Sequence, residues 1–443
     1  MSFFKMSGVV VPHMKNTCEM QAERMPAPKS VVIPMNMHIG APAKPVVQEG
    51  DIVGVGQLIG EAGGFVSSPV YASVSGKVTK VDKITGTNGA SADAVFIESD
   101  GQMRPFEGIK APTVTNFEEF VAAVRDSGIV GLGGAGFPTA VKLGVKDLSL
   151  VREVLINGAE CEPYITSDTR TMLDRADDIK EGIELLEKYL GAGTIIFGIE
   201  KNKPEAIAKM KEITSGDSAV SVKELPSIYP QGGEKVLIYN LTGKVVPEGK
   251  LPLDVGCIVI NVTTLASIAK YIRTGMPLVE KCLTVDGSAV ASPKNLIVPI
   301  GTSLRDVYEF AGGFKAEPKK VLLGGPMMGI AVKSLDQPVM KNTNATLALA
   351  EKEAERPEEN PCIHCGRCVN SCPLGLNPVA FAKALSLNDC EALEELKINL
   401  CMECGCCAFN CPAKRDLIAR HKLAKSELRS YQQQRAEQEK KEA

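Results

Sequence analysis

A basic excess is the first thing this 443-residue chain lacks: 50 Lys and Arg stand against 53 Asp and Glu, a formal net charge of -3. A protein that binds nucleic acid by neutralising phosphates needs a cationic face, so that class is set aside. No run of 18 apolar residues occurs, which removes a membrane-spanning helix. The first 20 residues hold no apolar h-region followed by a small-residue cleavage site, and the expectation is a chain that stays in the cytoplasm. Five of the 14 cysteines (Cys18, Cys161, Cys257, Cys282, Cys390) show no paired spacing and read as ordinary buried thiols. An oxidising compartment would favour disulfides, whereas cysteines in ligand spacing agree with a reducing one.

What is present is a pattern written twice. Cys362, Cys365, Cys368 and Cys372-Pro373 form C-x2-C-x2-C-x3-C-P, and Cys401, Cys404, Cys407 and Cys411-Pro412 repeat it. Three thiolates at this spacing can curl around one face of a [4Fe-4S] cubane, and the proline turns the chain away. In two-cluster folds the fourth cysteine of each run ligates the other cluster. That pairs Cys362, Cys365 and Cys368 with Cys411, and Cys401, Cys404 and Cys407 with Cys372. Zinc is the alternative reading of C-x2-C pairs, but it needs neither the third cysteine nor the repeated Cys-Pro. Gly366 and Gly405 lie where the backbone must pass close to inorganic sulfide. Cys406 adjoins Cys407; alignment with Cys365-Gly366-Arg367-Cys368 makes Cys407 the ligand.

The length suggests about three domains. Residues 1–29 read as an extended arm to which no function is attached, and 30–110 as short β runs (31–33, 45–47, 57–59, 76–79) between Gly, Pro and Asp turns. The phrases at 47–51 and 72–78 resemble the two halves of a biotinyl/lipoyl-type barrel-sandwich. The tip between them is Phe65-Val66-Ser67-Ser68-Pro69, with no carrier lysine, so a docking module is expected. His38 reads as structural. Over 115–280 the pattern alternates: helix from Phe117, strand 154–156, helix 177–189, strand 194–198, helix 203–213, strand 219–223, helix 233–240, strand 257–261 and helix 265–273. Such alternation predicts a parallel α/β sheet, with ligands at the carboxyl ends of its strands.

Four loops are candidates for those ligands. Gly131-Leu132-Gly133-Gly134-Ala135-Gly136-Phe137-Pro138 matches G-x-G-x-x-G but follows a helix, so dinucleotide-fold logic does not apply. Its bare backbone can still approach a phosphate or a flat ring, with Lys142 as counter-charge; a plain glycine-rich turn is the alternative. The others are 157–164 (Asn157, Glu160, Glu162), 229–235 (Tyr229, Gly232, Glu234) and Asn261-Val262-Thr263-Thr264-Leu265.

Taken together, these loops resemble the FMN- and NADH-binding subunit of respiratory complex I. The module order (barrel-sandwich, flavin domain, paired clusters) is similar to the RnfC family of the Rnf ion-translocating ferredoxin:NAD+ oxidoreductase complex. The resemblance implies a glycine loop of Gly133, Gly134, Gly136 and Phe137 backed by Lys142. It implies that Asn157, Glu160, Tyr229, Gly232 and Asn261 face FMN, and that Phe137, Glu162 and Glu234 lie nearer NAD(H), the substrate. The complex I protein has arginines where this chain has Val130 and Leu132, and acids at Ala159 and Gly233. A ubiquitin-like α+β module is implied over 281–340, an α-helical two-cluster ferredoxin domain over 350–425 and a solvated, charged tail over 426–443. The fold class expected is thus α/β with a barrel-sandwich in front and a ferredoxin domain behind.

The function implied is electron transfer among NADH, FMN and two [4Fe-4S] clusters, without a catalytic triad. The setting would be a peripheral position on the cytoplasmic side of a bacterial membrane, handing electrons to an iron-sulfur partner in the complex and indirectly to ferredoxin. A soluble flavin/iron-sulfur reductase of the cobalamin-reductase or proline-reductase-partner type, or a non-enzymatic cluster relay, are the other readings.

Overall fold

The computed structural model describes residues 8–87 and 89–442, so the first seven residues of the arm lie outside it. The chain divides into two compact units, one of residues 13–225 with 256–354, the other of residues 8–12, 226–255 and 355–442.

The larger unit is built round a four-stranded sheet of β1 (Glu153–Gly158), β2 (Ile195–Glu200), β3 (Val220–Leu225) and β4 (Cys257–Asn261). The order is β3-β2-β1-β4 and every pair is parallel. Val154-Leu155-Ile156, Ile195-Ile196-Phe197 and Ile258-Val259-Ile260 are all buried, the continuous apolar run of a strand covered on both faces. Four helices accompany the sheet: α1 (Ser167–Asp174), α2 (Ala176–Leu190), α3 (Pro204–Ile213) and α4 (Val262–Thr274). On α2, Ile179, Ile183, Leu186 and Leu190 form the buried stripe, and Gly191 ends the helix at φ 60°. The sequence pattern missed α1 and started α4 three residues late.

Ahead of this sheet, two antiparallel sheets pack as a barrel-like module: Ser30–Pro34, Ser91–Ser99, Gly76–Thr85 and Ile52–Val53 in one, Lys44–Pro45, Leu58–Glu61 and Val70–Tyr71 in the other. Val31, Ile33, Ile59, Val78 and Ile97 fill its interior. Its tip is anchored rather than free. Ser67 Oγ donates to Ala41 O at 2.8 Å, and Ser68 N donates to His38 Nε2 at 3.2 Å. Burial pushes His38 down to about 4, so its ring is neutral, in keeping with a structural role.

Behind the tip lies Lys341, wholly buried, which donates to Ser68 Oγ (3.1 Å), Pro69 O (2.5 Å) and Gly128 O (2.7 Å). Burial pushes its ammonium down to about 7. Above that pH and below the ordinary lysine range, the unfolded chain binds a proton that the folded chain does not, so stability rises with pH. The expected slope from this group is about 1.4 kcal/mol per pH unit at most. Denaturant melts from pH 7 to 10 should show that rise in the native chain and a flatter profile in Lys341→Met; parallel profiles would count against the assignment.

A six-stranded sheet follows, running Glu23–Arg24, Lys294–Pro299, Glu280–Asp286, Ala345–Leu349, Lys320–Leu323 and Ile330–Ala331, with the helix Leu304–Phe310 over it. The arm is therefore structured in part, since Glu23–Arg24 adds an edge strand here and pairs in parallel with Leu296 and Ile297.

The smaller unit is mostly helical: Arg367–Asn370, Pro378–Ser386, Cys390–Glu395, Cys406–Phe409 and the 26-residue Leu417–Glu442. Leu376, Phe381, Leu393, Ile398, Ala424 and Leu428 form its core. The helix expected over 233–240 forms as Glu234–Thr242, but it belongs to this unit and not to the one that holds the parallel sheet.

Candidate functional site

The strand order β3-β2-β1-β4 reverses between β1 and β4, and open parallel sheets bind ligands outside the carboxyl ends at such a reversal. Asn157 and Asn261 are register partners across that pair. Asn261 Oδ1 accepts from Thr263 N (3.0 Å) and Thr264 N (3.2 Å), which starts α4, while its Nδ2 donates to Asp168 Oδ2 at 2.8 Å. Thr263 Oγ1 donates to the other Asp168 oxygen at 2.6 Å. Sequence reasoning missed Asp168 because it missed α1; Thr166-Ser167-Asp168 is a helix-start signature that could have found it.

The glycine loop rests on the same edge. Gly131 N donates to Phe137 O at 2.8 Å and Gly136 N to Gly131 O at 3.1 Å, while Leu132 N donates to Thr264 Oγ1 at 2.9 Å. Gly134 and Gly136 sit at φ 131° and 68°, where a side chain is strained. A Cβ on Gly133 would lie 2.9 Å from Asn261 Nδ2, so the loop touches the β4 terminus only because it is bare there. Lys142 Nζ donates to Val259 O at 3.0 Å and so ties the short helix after the loop to β4.

The two acids of the second loop have protein partners. Glu160, at φ 46°, accepts from Asp168 N (2.6 Å), Thr169 N (3.3 Å) and Thr169 Oγ1 (2.5 Å), holding the first turn of α1. Burial pushes its carboxyl up, and Lys15 opposes this. Glu162 accepts from Met327 N (3.0 Å) and Met328 N (2.9 Å), which fastens the Gly324–Gly329 turn to the β1 loop. Two lysines gather the carbonyls of that loop. Lys15, from the arm, donates to Glu160 O (2.8 Å), Glu162 O (2.8 Å) and Ile165 O (2.5 Å). Lys203 donates to Ala159 O at 2.7 Å and pairs with buried Glu200 at 3.3 Å. An ammonium with three donors suits a cluster of carbonyls, so the arm has a role its sequence did not reveal.

Tyr229, Gly232 and Glu234 lie in the smaller unit and are set there against cysteines. Val9 and Tyr229 exchange backbone hydrogen bonds of 2.9 Å in each direction, and Cys406 Sγ donates to Tyr229 O at 3.7 Å. A Cβ on Gly233 would stand 2.1 Å from Met402 Cε, so the 229–234 loop abuts the second cysteine run.

The eight patterned cysteines line two cavities. Cys362, Cys365, Cys368 and Cys411 line one, with Val369, Val379 and Leu417. Cys372, Cys401, Cys404 and Cys407 line the other, with Cys406, Phe381 and His421. Each set thus combines three cysteines of one run with the fourth of the other. Among the described residues, no three His, Cys, Asp or Glu side chains are gathered as a single ion requires. The two runs share a backbone trace. His364 and Glu403 both have positive φ, Gly366 and Gly405 follow at 71° and 84°, and the helices Arg367–Asn370 and Cys406–Phe409 start in register. Cys406 therefore occupies the place of Arg367. Burial pushes Cys401 up to about 11, so a metal taking this thiolate must displace its proton. Lys425 donates to Cys401 O at 2.5 Å, and His421 Nδ1 lies 3.7 Å from Cys401 Sγ.

Comparison with known proteins matches residues 4–102 to the RnfC barrel sandwich hybrid domain, 124–270 to the Nuo51 FMN-binding domain and 283–331 to the SLBB domain. The chain is 45% identical over 423 residues to the RnfC-type component of the proton-translocating ferredoxin:NAD+ oxidoreductase complex of Clostridium ljungdahlii, covering 94% of this chain and 92% of that one. It is 42% identical over 428 residues to the corresponding component of the Na+-translocating ferredoxin:NAD+ oxidoreductase complex of Acetobacterium woodii, covering 95% and 96%. An NAD+-reducing [NiFe]-hydrogenase in its H2-reduced state superposes with a TM-score of 0.49 at 20% identity, over 70% of this chain and 63% of that chain. Among the described residues no helix is long and apolar enough to cross a membrane.

Proposed function

The chain belongs to the RnfC family of ion-translocating ferredoxin:NAD+ oxidoreductase complexes, and from that membership we propose that it passes electrons between NAD(H), FMN and two [4Fe-4S] clusters to partner subunits. The observation that carries the reading is the division of eight thiols into two sets of four in the crossed combination of a two-cluster ferredoxin domain. The donor set fits: four sulfurs spread about each cavity suit a cubane with its inorganic sulfides better than one zinc ion. When bound, the flavin exchanges hydride with NADH and single electrons with iron-sulfur centres.

The residues of this chain position and exclude. Gly133, Gly134, Gly136 and Phe137 offer backbone to the flavin or nucleotide, and Asn157 and Asn261 stand at the strand ends beside them. Glu160 and Glu162 act through the loop they hold rather than by direct contact, because their oxygens are engaged with α1 and with the Met327-Met328 turn. Tyr229, Gly232 and Glu234 occupy the loop against the Cys401–Cys407 run, which makes the set Cys372, Cys401, Cys404 and Cys407 the one nearest that loop. The six-stranded module reads as ubiquitin-like. Attachment to a membrane, on its cytoplasmic side, would come through other subunits, one of them an iron-sulfur protein.

The test is anaerobic purification and reconstitution of the chain, extraction and identification of its flavin, then addition of NADH. Bound FMN whose absorbance bleaches with NADH, followed by cluster reduction, is the expected result. A chain that holds clusters but neither binds FMN nor responds to NADH would reduce the proposal to a cluster relay.

A further inference from the structure

The glycine loop has a feature that its glycines alone do not explain. Alternate carbonyls along it are each held by a different part of the larger unit. Leu132 O accepts from Lys281 Nζ at 3.2 Å, a buried lysine on the strand Glu280–Asp286. Gly134 O accepts from Asn342 Nδ2 at 2.7 Å, on the segment just before Ala345–Leu349. Gly136 O accepts from Ile39 N at 3.0 Å, on the barrel-like module.

A trans peptide is planar, and its N–H points opposite to its C=O. Holding the carbonyls of residues 132, 134 and 136 therefore turns the amides of Gly133, Ala135 and Phe137 away from the groups that hold them. Those three N–H groups meet no acceptor among the described residues, whereas the amides of Gly131, Leu132 and Gly136 are all taken within the fold. Polar backbone left unpaired at a glycine-rich turn is costly unless a ligand or water meets it, and successive free amides form an anion-binding concavity.

We propose that Asn342 is a positioning residue which, with Lys281 and the Ile39 amide, orients the amides of Gly133, Ala135 and Phe137 onto the phosphate oxygens of a bound nucleotide. This rests on the proposed function and goes beyond it by naming what aims the loop and what the loop reads. The phosphate is that of FMN or the diphosphate of NADH. The barrel-like module thereby takes a direct part in the site through one backbone hydrogen bond, although its tip carries no modifiable lysine.

The test compares the full-length reconstituted chain with Asn342→Asp, which keeps the shape but removes the donor, and with Ile39→Pro, which removes the amide at the opposite side of the loop. Each is stripped of flavin and titrated with FMN and, separately, with riboflavin, which has no phosphate; NADH is titrated by its KM. The expected result is a weakening of FMN or of NADH by about tenfold, the scale of one lost charge-assisted hydrogen bond, with riboflavin affinity and iron content unchanged. Weakening confined to FMN assigns the amides to the flavin phosphate, and weakening confined to NADH assigns them to the diphosphate. Equal losses for FMN and riboflavin in both variants would mean a merely structural role and overturn the inference, as would unchanged FMN and NADH. A wild-type chain that binds neither FMN nor NADH overturns the proposed function and this inference with it.

Discussion

Cys407→Ser is expected to cost the reconstituted chain one of its two clusters, whereas Cys406→Ser leaves both. Two [4Fe-4S] clusters require about eight iron and eight labile sulfide atoms per chain, and loss of one ligand set leaves about four of each. The two residues are adjacent and both buried, so exposure does not separate them. The backbone does: Gly405 caps the short helix at φ 84° as Gly366 does at 71°, which sets Cys406 beside Arg367 and Cys407 beside Cys368. Cys406 instead turns its sulfur to Tyr229 O, so its loss removes a weak hydrogen bond rather than a ligand. Iron and sulfide analysis with EPR of the reduced protein reads the difference. Cluster loss in Cys406→Ser, or zinc in place of iron and sulfide in the native chain, would overturn the ligand assignment.

Gly136→Val is expected to abolish NADH-driven reduction, by about a hundredfold or more, with iron content intact. At φ 68° a β-branched residue is strained, and its Cβ would stand 3.2 Å from Asn342 Nδ2. The valine therefore disturbs both the turn and the group that holds Gly134 O, and a misplacement of about 1 Å at a reacting centre costs roughly that factor. The cysteine sets belong to the other compact unit, so their metal content serves as the internal control. Stopped-flow reduction by NADH, with dithionite reduction of the clusters as reference, separates the two. Normal turnover with NADH would remove the loop from the site.

The parts of the site legible in the sequence were those whose chemistry needs a local pattern. Cysteine spacing is local, because neighbouring thiols must reach one cubane, and the crossed pairing follows once the motif is seen twice. The glycine loop is local too, since close backbone approach demands missing side chains over consecutive residues. Residues that act through distant partners had no such signature. Asp168 matters because Asn261 and Thr263 reach it from nearly a hundred residues away, and Lys15 because a loop some 150 residues later turns its carbonyls to it. Glu160 and Glu162 were singled out as acids at a strand end, but their orientation was not legible. One caps α1 and the other fastens the Met327-Met328 turn.

Sequence by itself determined the module order, the alternating strands and helices of the sheet, the eight cysteine ligands and the four loops worth inspecting, because period, turn residues and ligand spacing are properties of contiguous chain. Only the tertiary structure decided the strand order 3-2-1-4, and with it the reversal that sets Asn157 beside Asn261. It also decided that residues 226–255 leave the flavin-domain unit for the one with the cysteines, although their pattern continues the alternation. The same holds for Ile39, Lys281 and Asn342, which come from three separate parts of the chain to alternate carbonyls of one loop. The physical reason is common to all three: hydrophobic periodicity says which face of an element is buried, but not against what. The partner of a buried strand edge, carbonyl or ammonium is chosen by packing across the whole domain.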